Sequence, residues 1–300
     1  METFIVTVSY LAIGVFLRLS GRFPKDFSNS LNLYVIYVSL PALVLYKVPS
    51  MEIDKDLWFV ALLPWIMVGL NGILIWALSR LFKWEAQVTG CLMLMASLGN
   101  TSFLGIPMVR AFFGEQAISY AMIYDQLGSF LALATYGTLV LAIFGDPDGP
   151  RPSLRDVIKK IITFPPFIAL GIALLALGRT FPAPLSSLLN GLGSTLVPVV
   201  MVAVGYQLTP RLEPGTTWFL AVGLFLKLVV SPLAALGLSK VLGLGGVAVD
   251  VAVFEAGMPP MVSAGALAIM AGLSPRLTAA LVGVGILFSF LTLPILFQLL

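Results

Sequence analysis

Two short stretches decide how this chain folds: Leu98-Gly99-Asn100-Thr101-Ser102-Phe103-Leu104-Gly105-Ile106-Pro107 and Phe254-Glu255-Ala256-Gly257-Met258-Pro259-Pro260. Each lies inside a long apolar run, and each brings polar and helix-breaking residues to the centre of it. A proline lacks the backbone donor that a helix needs and disfavours helical geometry in the residue before it. Both runs are therefore expected to break near their middles. Pro259 or Pro260 suits the first position of a restarting helix. Thr101 or Ser102 suits a cap on the other restart, accepting a bond from a freed N–H. Unpaired backbone groups are tolerated at membrane depth only where protein or a wet cavity satisfies them. Two restarting helices there point their partial positive ends at such a cavity, a setting for an anionic group.

The surrounding composition places these breaks in a bilayer. The chain has 300 residues, 59% hydrophobic and 10% charged, with a mean hydropathy of +1.03. A soluble domain carries about 25% charged residues, so a cytosolic enzyme, a nucleic-acid binder and a disordered chain are all excluded. The net charge of +3 is spread among loops and forms no basic patch. The apolar runs are continuous rather than alternating, which argues for spanning helices over a barrel. Ten are expected, at 3–19, 29–47, 58–80, 87–112, 116–144, 160–178, 184–208, 217–240, 248–272 and 276–299. The first lacks a basic leader and a small-residue cleavage site, so it reads as a retained span.

The expected fold is thus an all-α membrane protein of ten transmembrane helices. Pro41 and Pro198, Trp58 and Trp218, and Gly99 and Gly257 are separated by 157 to 160 residues in similar contexts. That spacing divides the chain into a five-helix repeat over 1–145, a polar linker over 146–159 and a second repeat over 160–300. An odd number of spans per half inverts the second repeat, an arrangement that places binding sites where transporter halves meet. With the N-terminus outside, the inner loops carry eleven Lys and Arg and the outer loops five, while Lys227 falls within a span. The positive-inside rule then puts both termini outside.

Charges within spans are costly and need a partner or a task, about 2.5–3.5 kcal/mol each on insertion scales. Glu255, beside the second break, is the candidate to hold a coupling cation or proton, sodium being the metal considered. Asp125 is expected to face the bundle interior. Lys227 is expected to pair with Glu255 or Asp125, or to act as a built-in cation that attracts a carboxylate or replaces a coupling ion. Asn71 reads as helix-packing glue. Cys91 lies in an apolar run and reads as a buried, inert thiol. With no histidine, His-dependent triads and imidazole metal sites are ruled out. Asn100-Thr-Ser matches a glycosylation sequon but sits at membrane depth. Asp125 and Asp146 do not form a facing pair suited to intramembrane proteolysis.

Read together, Asn32-Leu-Tyr-Val-Ile-Tyr-Val-Ser-Leu-Pro41, Gly99 to Pro107, Tyr124-Asp-Gln126 and Glu255 to Pro260 resemble the auxin efflux carrier family, over essentially the full chain. That resemblance implies broken helices four and nine crossing at mid-membrane. It also implies a scaffold of spans one, two, six and seven, often dimeric, and a moving core of the other six. It implies elevator-type transport of small organic anions such as carboxylates, with no resident cofactor beyond a coupling sodium or proton. The substrate-binding set is then Asn100, Thr101, Ser102, Gly105, Pro107, Met258, Pro259 and Pro260, with helix restarts at Phe103 and Pro260. Glu255, Asp125 and Lys227 form the coupling set. Phe254-Glu255-Ala-Gly257-Met258 is also similar to the crossover of bile acid:sodium symporters, where the glutamate helps bind sodium. The partners expected are an organic anion, the lipid bilayer and a second copy of the chain, with no nucleic acid, in an inner membrane. A channel or a receptor on the same fold is the rival reading.

Overall fold

The computed structural model describes residues 2–24, 26–51, 56–145, 153–179, 181–208 and 216–300. Among the described residues the chain is helical, with no β-strand. Six helices are long and apolar enough to cross a membrane: α2 (Phe27–Ser50), α3 (Leu57–Phe82), α6 (Glu115–Phe144), α9 (Ala183–Gln207), α10 (Thr217–Val241) and α13 (Pro275–Leu299). Shorter ones fill the intervals: α1 (Glu2–Leu19), α4 (Ala86–Ser97), α5 (Thr101–Phe113), α7 (Leu154–Ile162), α8 (Pro165–Leu175), α11 (Val247–Ala256) and α12 (Val262–Met270). Large apolar side chains face outward along the bundle, among them Phe16, Ile73, Leu175 and Leu291, each more than 60% exposed. Such a surface would aggregate in water and is suited to lipid.

The sixth apolar segment begins later than expected. Residues 146–152 lie outside the described residues, but 154–162 is the helix α7, so the sixth apolar segment begins at Pro165 and not at 160. The reason is local. Ser153 caps α7 by accepting from the Asp156 N–H at 3.3 Å, and Asp156 accepts from the Ser153 hydroxyl and N–H at 2.7 and 2.9 Å. This is a capping box with Asp in the reciprocal position. The Ser153 hydroxyl first, and its backbone N–H second, hold the exposed Asp156 carboxyl below its usual range. Pro165 and Pro166 then start α8, where their missing donors cost nothing.

Packing separates the helices into two groups. In the first, α1 lies along α9, while α2 packs on α8 and α9. The α1–α9 contact is made backbone to backbone, because a Cβ at Gly14 would strike the Val202 carbonyl and one at Gly205 the Leu11 carbonyl. Small residues at a helix interface allow this approach, which supplies dispersion contact where lipid offers no hydrophobic drive. In the second group α3 packs on α4, α6 and α11, and α4 packs on α10, α12 and α13. Asn71 of α3 donates to the Ala96 carbonyl at 3.0 Å and to Ser231 Oγ of α10 at 2.7 Å, joining positions 160 residues apart. It is glue between helices, as its sequence context suggests. Ser39 and Thr195 make the comparable link between α2 and α9, at 2.7 Å. Cys91 is fully buried against Thr278.

Three helices widen into π-turns at Val35–Ser39, Thr101–Gly105 and Leu226–Val230, and each π-turn ends two residues before a proline (Pro41, Pro107, Pro232). A proline ring clashes with the carbonyl four residues earlier, and a wide turn removes that clash without ending the helix. A further π-turn, Tyr124–Phe130, has no such proline; there Gly128 lies against the Pro64 ring of α3. Thr101, Ser102, Asp125 and Lys227 all sit in π-turns, which rotate side chains away from the regular helical face.

Candidate functional site

The two broken segments meet. Helix α4 stops at Ser97 and α11 at Ala256, and the residues that follow run antiparallel to one another. The Asn100 N–H donates to the Pro259 carbonyl at 2.8 Å, and the Met261 N–H donates to the Leu98 carbonyl at 3.0 Å. Each break thereby satisfies backbone groups that the other leaves free, which is how irregular backbone persists inside an apolar bundle. Beyond the crossing, α5 starts at Thr101 and α12 at Val262, instead of at Phe103 and Pro260. Pro259 and Pro260 are held extended by the crossing bonds, so they precede the new helix and do not open it.

A pocket of about 260 Å³ lies beside the crossing. Asn100, Ser102 and Asp125 line one end; Ile36, Leu40, Phe130, Leu133 and Phe164 supply apolar walls. Phe130 and Phe164 stack at 4.0 Å, tying α6 to the start of α8. Asn100 is 2% exposed, and its Nδ2 has no hydrogen-bond partner. A buried amide donor without a partner costs about 1–3 kcal/mol, so this one is poised for something that enters the pocket. Through Ile36, Phe103, Ser263 and Ala266 the pocket adjoins a second cavity of about 410 Å³ that reaches Asn29 and Gln207.

Asp125 is buried and fully engaged. Its Oδ1 accepts from Thr101 and Ser102, both at 2.5 Å, and its Oδ2 from Gln126 at 2.6 Å. The two hydroxyls spend their protons on this carboxylate, so neither caps α5 and neither has a proton to donate to a ligand. The α5 start instead relies on the Asn100 carbonyl, which accepts from the Leu104 and Gly105 N–H groups.

Glu255 and Lys227 lie on the other side of the crossing, where a void of about 10 Å³ is shared with Ser97, Thr101, Tyr124 and Ser129. Glu255 is fully buried, and neither carboxylate oxygen receives a hydrogen bond from Lys227 or any other group among the described residues. Lys227 donates to the Ala256 carbonyl at 2.8 Å, so the expected direct pairing with Glu255 or Asp125 does not form. Gly105 lets Glu255 in: a Cβ there would fall on both carboxylate oxygens. Gly105→Ala is expected to lower stability by about 1–3 kcal/mol through overpacking. In a double-mutant cycle, Glu255→Ala recovers at least about 1 kcal/mol of it. Thermal melts of the four proteins that came out additive would show that the two positions do not touch.

Of the expected binding set, the structure brings Asn100 and Ser102 to the pocket, together with Asp125. Thr101 faces the smaller void. Met258, Pro259 and Pro260 build the crossing, Gly105 lies against Glu255 in the π-turn of α5, and Pro107 is buried in α5 just beyond that π-turn. The pocket also recruits Phe103, expected only as a helix restart, and Phe130, Phe164, Leu133 and Met261, which were not foreseen. Apolar residues at these positions look the same in sequence as lipid-facing ones. Gln126, which holds Asp125 without lining the pocket, was signalled as the polar residue following it.

The family described as "Membrane transport protein" matches residues 1–297, bearing out the resemblance to auxin efflux carriers drawn from the two broken segments. An uncharacterized transporter of Methanocaldococcus jannaschii is 28% identical over 303 residues, covering 98% of this chain and 96% of that protein. An uncharacterized transporter of Methanothermobacter thermautotrophicus is 28% identical over 297 residues, with the same coverage of both chains.

Proposed function

We propose that this chain, which belongs to the membrane transport protein family, is a secondary carrier of small organic anions rather than an enzyme, a channel or a receptor. The observation that carries the reading is the unpartnered Asn100 amide, held at a hydrogen-bonded crossing of two broken helices and lining a pocket with apolar walls. Asn100 Nδ2 and the first turns of α5 and α12 receive the carboxylate, and the aromatic pair Phe130–Phe164 holds the organic body. Asp125 adds a negative group to the same wall, so a second carboxylate on the ligand is disfavoured. The preferred cargo is a monocarboxylate with an apolar body, small enough for about 260 Å³.

The motion is of the elevator type. Helices α1, α2, α8 and α9 form the scaffold, and the remaining spans carry the crossing past it. The links Asn71–Ser231 and Ser39–Thr195, with the mirrored packing of α1 on α9 and α2 on α8, support two inverted repeats of five spans. Both termini lie outside an inner membrane, and two copies associate through their scaffold helices. Vesicles containing the purified protein test the carrier reading. A carrier gives saturable counterflow of a labelled monocarboxylate that unlabelled substrate on the far side accelerates. Current without counterflow would make it a channel, and binding without either a receptor.

A further inference from the structure

We infer that helix α7 is a docking surface for an anionic lipid leaflet, lying in the interface with its apolar row among acyl chains and its cations among headgroups. Leu154, Ile158 and Ile162 stand one turn apart on a single helix face and are 75%, 49% and 60% exposed. Val157 and Ile161, on the adjoining strip, are half-buried, and the helix packs on α8 and on Leu133–Gly137 of α6. One strip of the apolar face thus rests on the bundle, while the next has nothing over it among the described residues. Three large aliphatic side chains in a row call for an apolar phase outside the protein. The helix does not reach that phase by crossing it. Its nine residues span about 14 Å, against about 30 Å of hydrocarbon.

Charge selects the kind of leaflet. Arg155 and Lys159, one turn apart, border the uncovered apolar row; both are exposed, and neither makes an ion pair among the described residues. The one acidic residue of the helix, Asp156, is already engaged in the capping box with Ser153. A helix with a wide apolar face, a cationic border and low overall hydropathy lies in a membrane interface and not across it. The helices before and after it are lipid-facing, through Leu139 and Ile143 of α6 and Ile168 and Ile172 of α8. Beside an anionic surface each basic residue strengthens the attraction about fivefold. A second copy of the chain docked here about a two-fold axis would instead set these cations against their own counterparts. Phe164, two residues past the helix, stacks on Phe130 in the pocket wall. Headgroups that hold α7 therefore also steady one side of the pocket.

The inference holds for any cargo, and its test reads position and lipid preference instead of flux. Cys91 is fully buried, so a cysteine introduced by Ile158→Cys or Lys159→Cys takes a fluorophore selectively in the purified full-length protein. Both positions are exposed, and neither change threatens folding. The labelled proteins are placed in mixed phosphatidylcholine–phosphatidylglycerol vesicles. The label of Ile158→Cys is expected to be quenched by a nitroxide on the upper acyl chain and protected from aqueous iodide. That of Lys159→Cys is expected to be open to iodide. Moving the nitroxide from phosphatidylcholine to phosphatidylglycerol is expected to lower the amount needed for half-quenching at position 158 about fivefold at low salt. The preference is expected to vanish at high salt and in an Arg155→Gln/Lys159→Gln background. Iodide access at 158 would mean that the row faces water, and protection from both quenchers that protein covers it. Equal quenching by the two lipids would mean contact blind to charge. Each of these three results overturns the inference.

Discussion

Asn100→Ala is expected to cut counterflow by about 100-fold while leaving the melting temperature unchanged or slightly raised. The two halves of that expectation have different causes. Asn100 holds the crossing with its backbone, donating to the Pro259 carbonyl and accepting from the Leu104 and Gly105 amides, and alanine keeps all three bonds. Its side-chain Nδ2 has no partner among the described residues, so they lose no hydrogen bond when it is removed. A hydrogen bond to a charged group is worth about 1.5–3 kcal/mol, which is about tenfold to 150-fold in binding. If the amide meets the carboxylate of the cargo, the whole loss falls on transport. Normal counterflow in a well-folded Asn100→Ala protein would remove Asn100 from the site.

Asp125 is expected to behave in the opposite way. Asp125→Ala strands the buried Thr101 hydroxyl and Gln126 amide and the half-buried Ser102 hydroxyl, three donors that now share one carboxylate. Each unsatisfied buried group costs about 1–3 kcal/mol, so a net loss of about 2 kcal/mol or more is expected, with collapse of the α5 start. Asp125→Asn should lose little. Its Oδ1 still accepts from both hydroxyls, and Gln126, whose Oε1 has no partner, can turn its amide to accept from the new Nδ2. Melting curves of the two variants separate by several degrees on this account. Counterflow through Asp125→Asn then decides a second point. Retained flux leaves Asp125 as the group that positions α5. Lost flux in a stable protein would return it to the coupling role that its depth in the span suggests.

Much of this architecture was legible in the chain. Continuous apolar runs with 10% charge admit helices in lipid and little else, and the helix ends fall close to where hydropathy places them. The two breaks were legible because Gly99-Asn100 and Met258-Pro259-Pro260 are chemically unable to continue a buried helix without help. The π-turns before Pro41, Pro107 and Pro232 follow the same proline chemistry, one step further than periodicity alone reaches. The start of the sixth apolar segment at Pro165 was not legible because α7 is amphipathic and too short to register as a hydropathic run, while Ser153 and Asp156 signal its start only through their spacing.

Partnership among buried polar groups was not legible, because hydrogen bonds depend on which faces of distant helices meet. Sequence shows that Asp125, Lys227 and Glu255 must be stabilised at depth; it does not show by what. The tertiary structure gives Asp125 to Thr101, Ser102 and Gln126, and Lys227 to the end of α11, while Glu255 is left against Gly105 with no donor among the described residues. The apolar pocket walls were hidden for a related reason. In a bilayer, a phenylalanine facing lipid and one facing cargo have the same sequence signature, and only packing around the crossing tells Phe130 and Phe164 from Phe16 and Phe288.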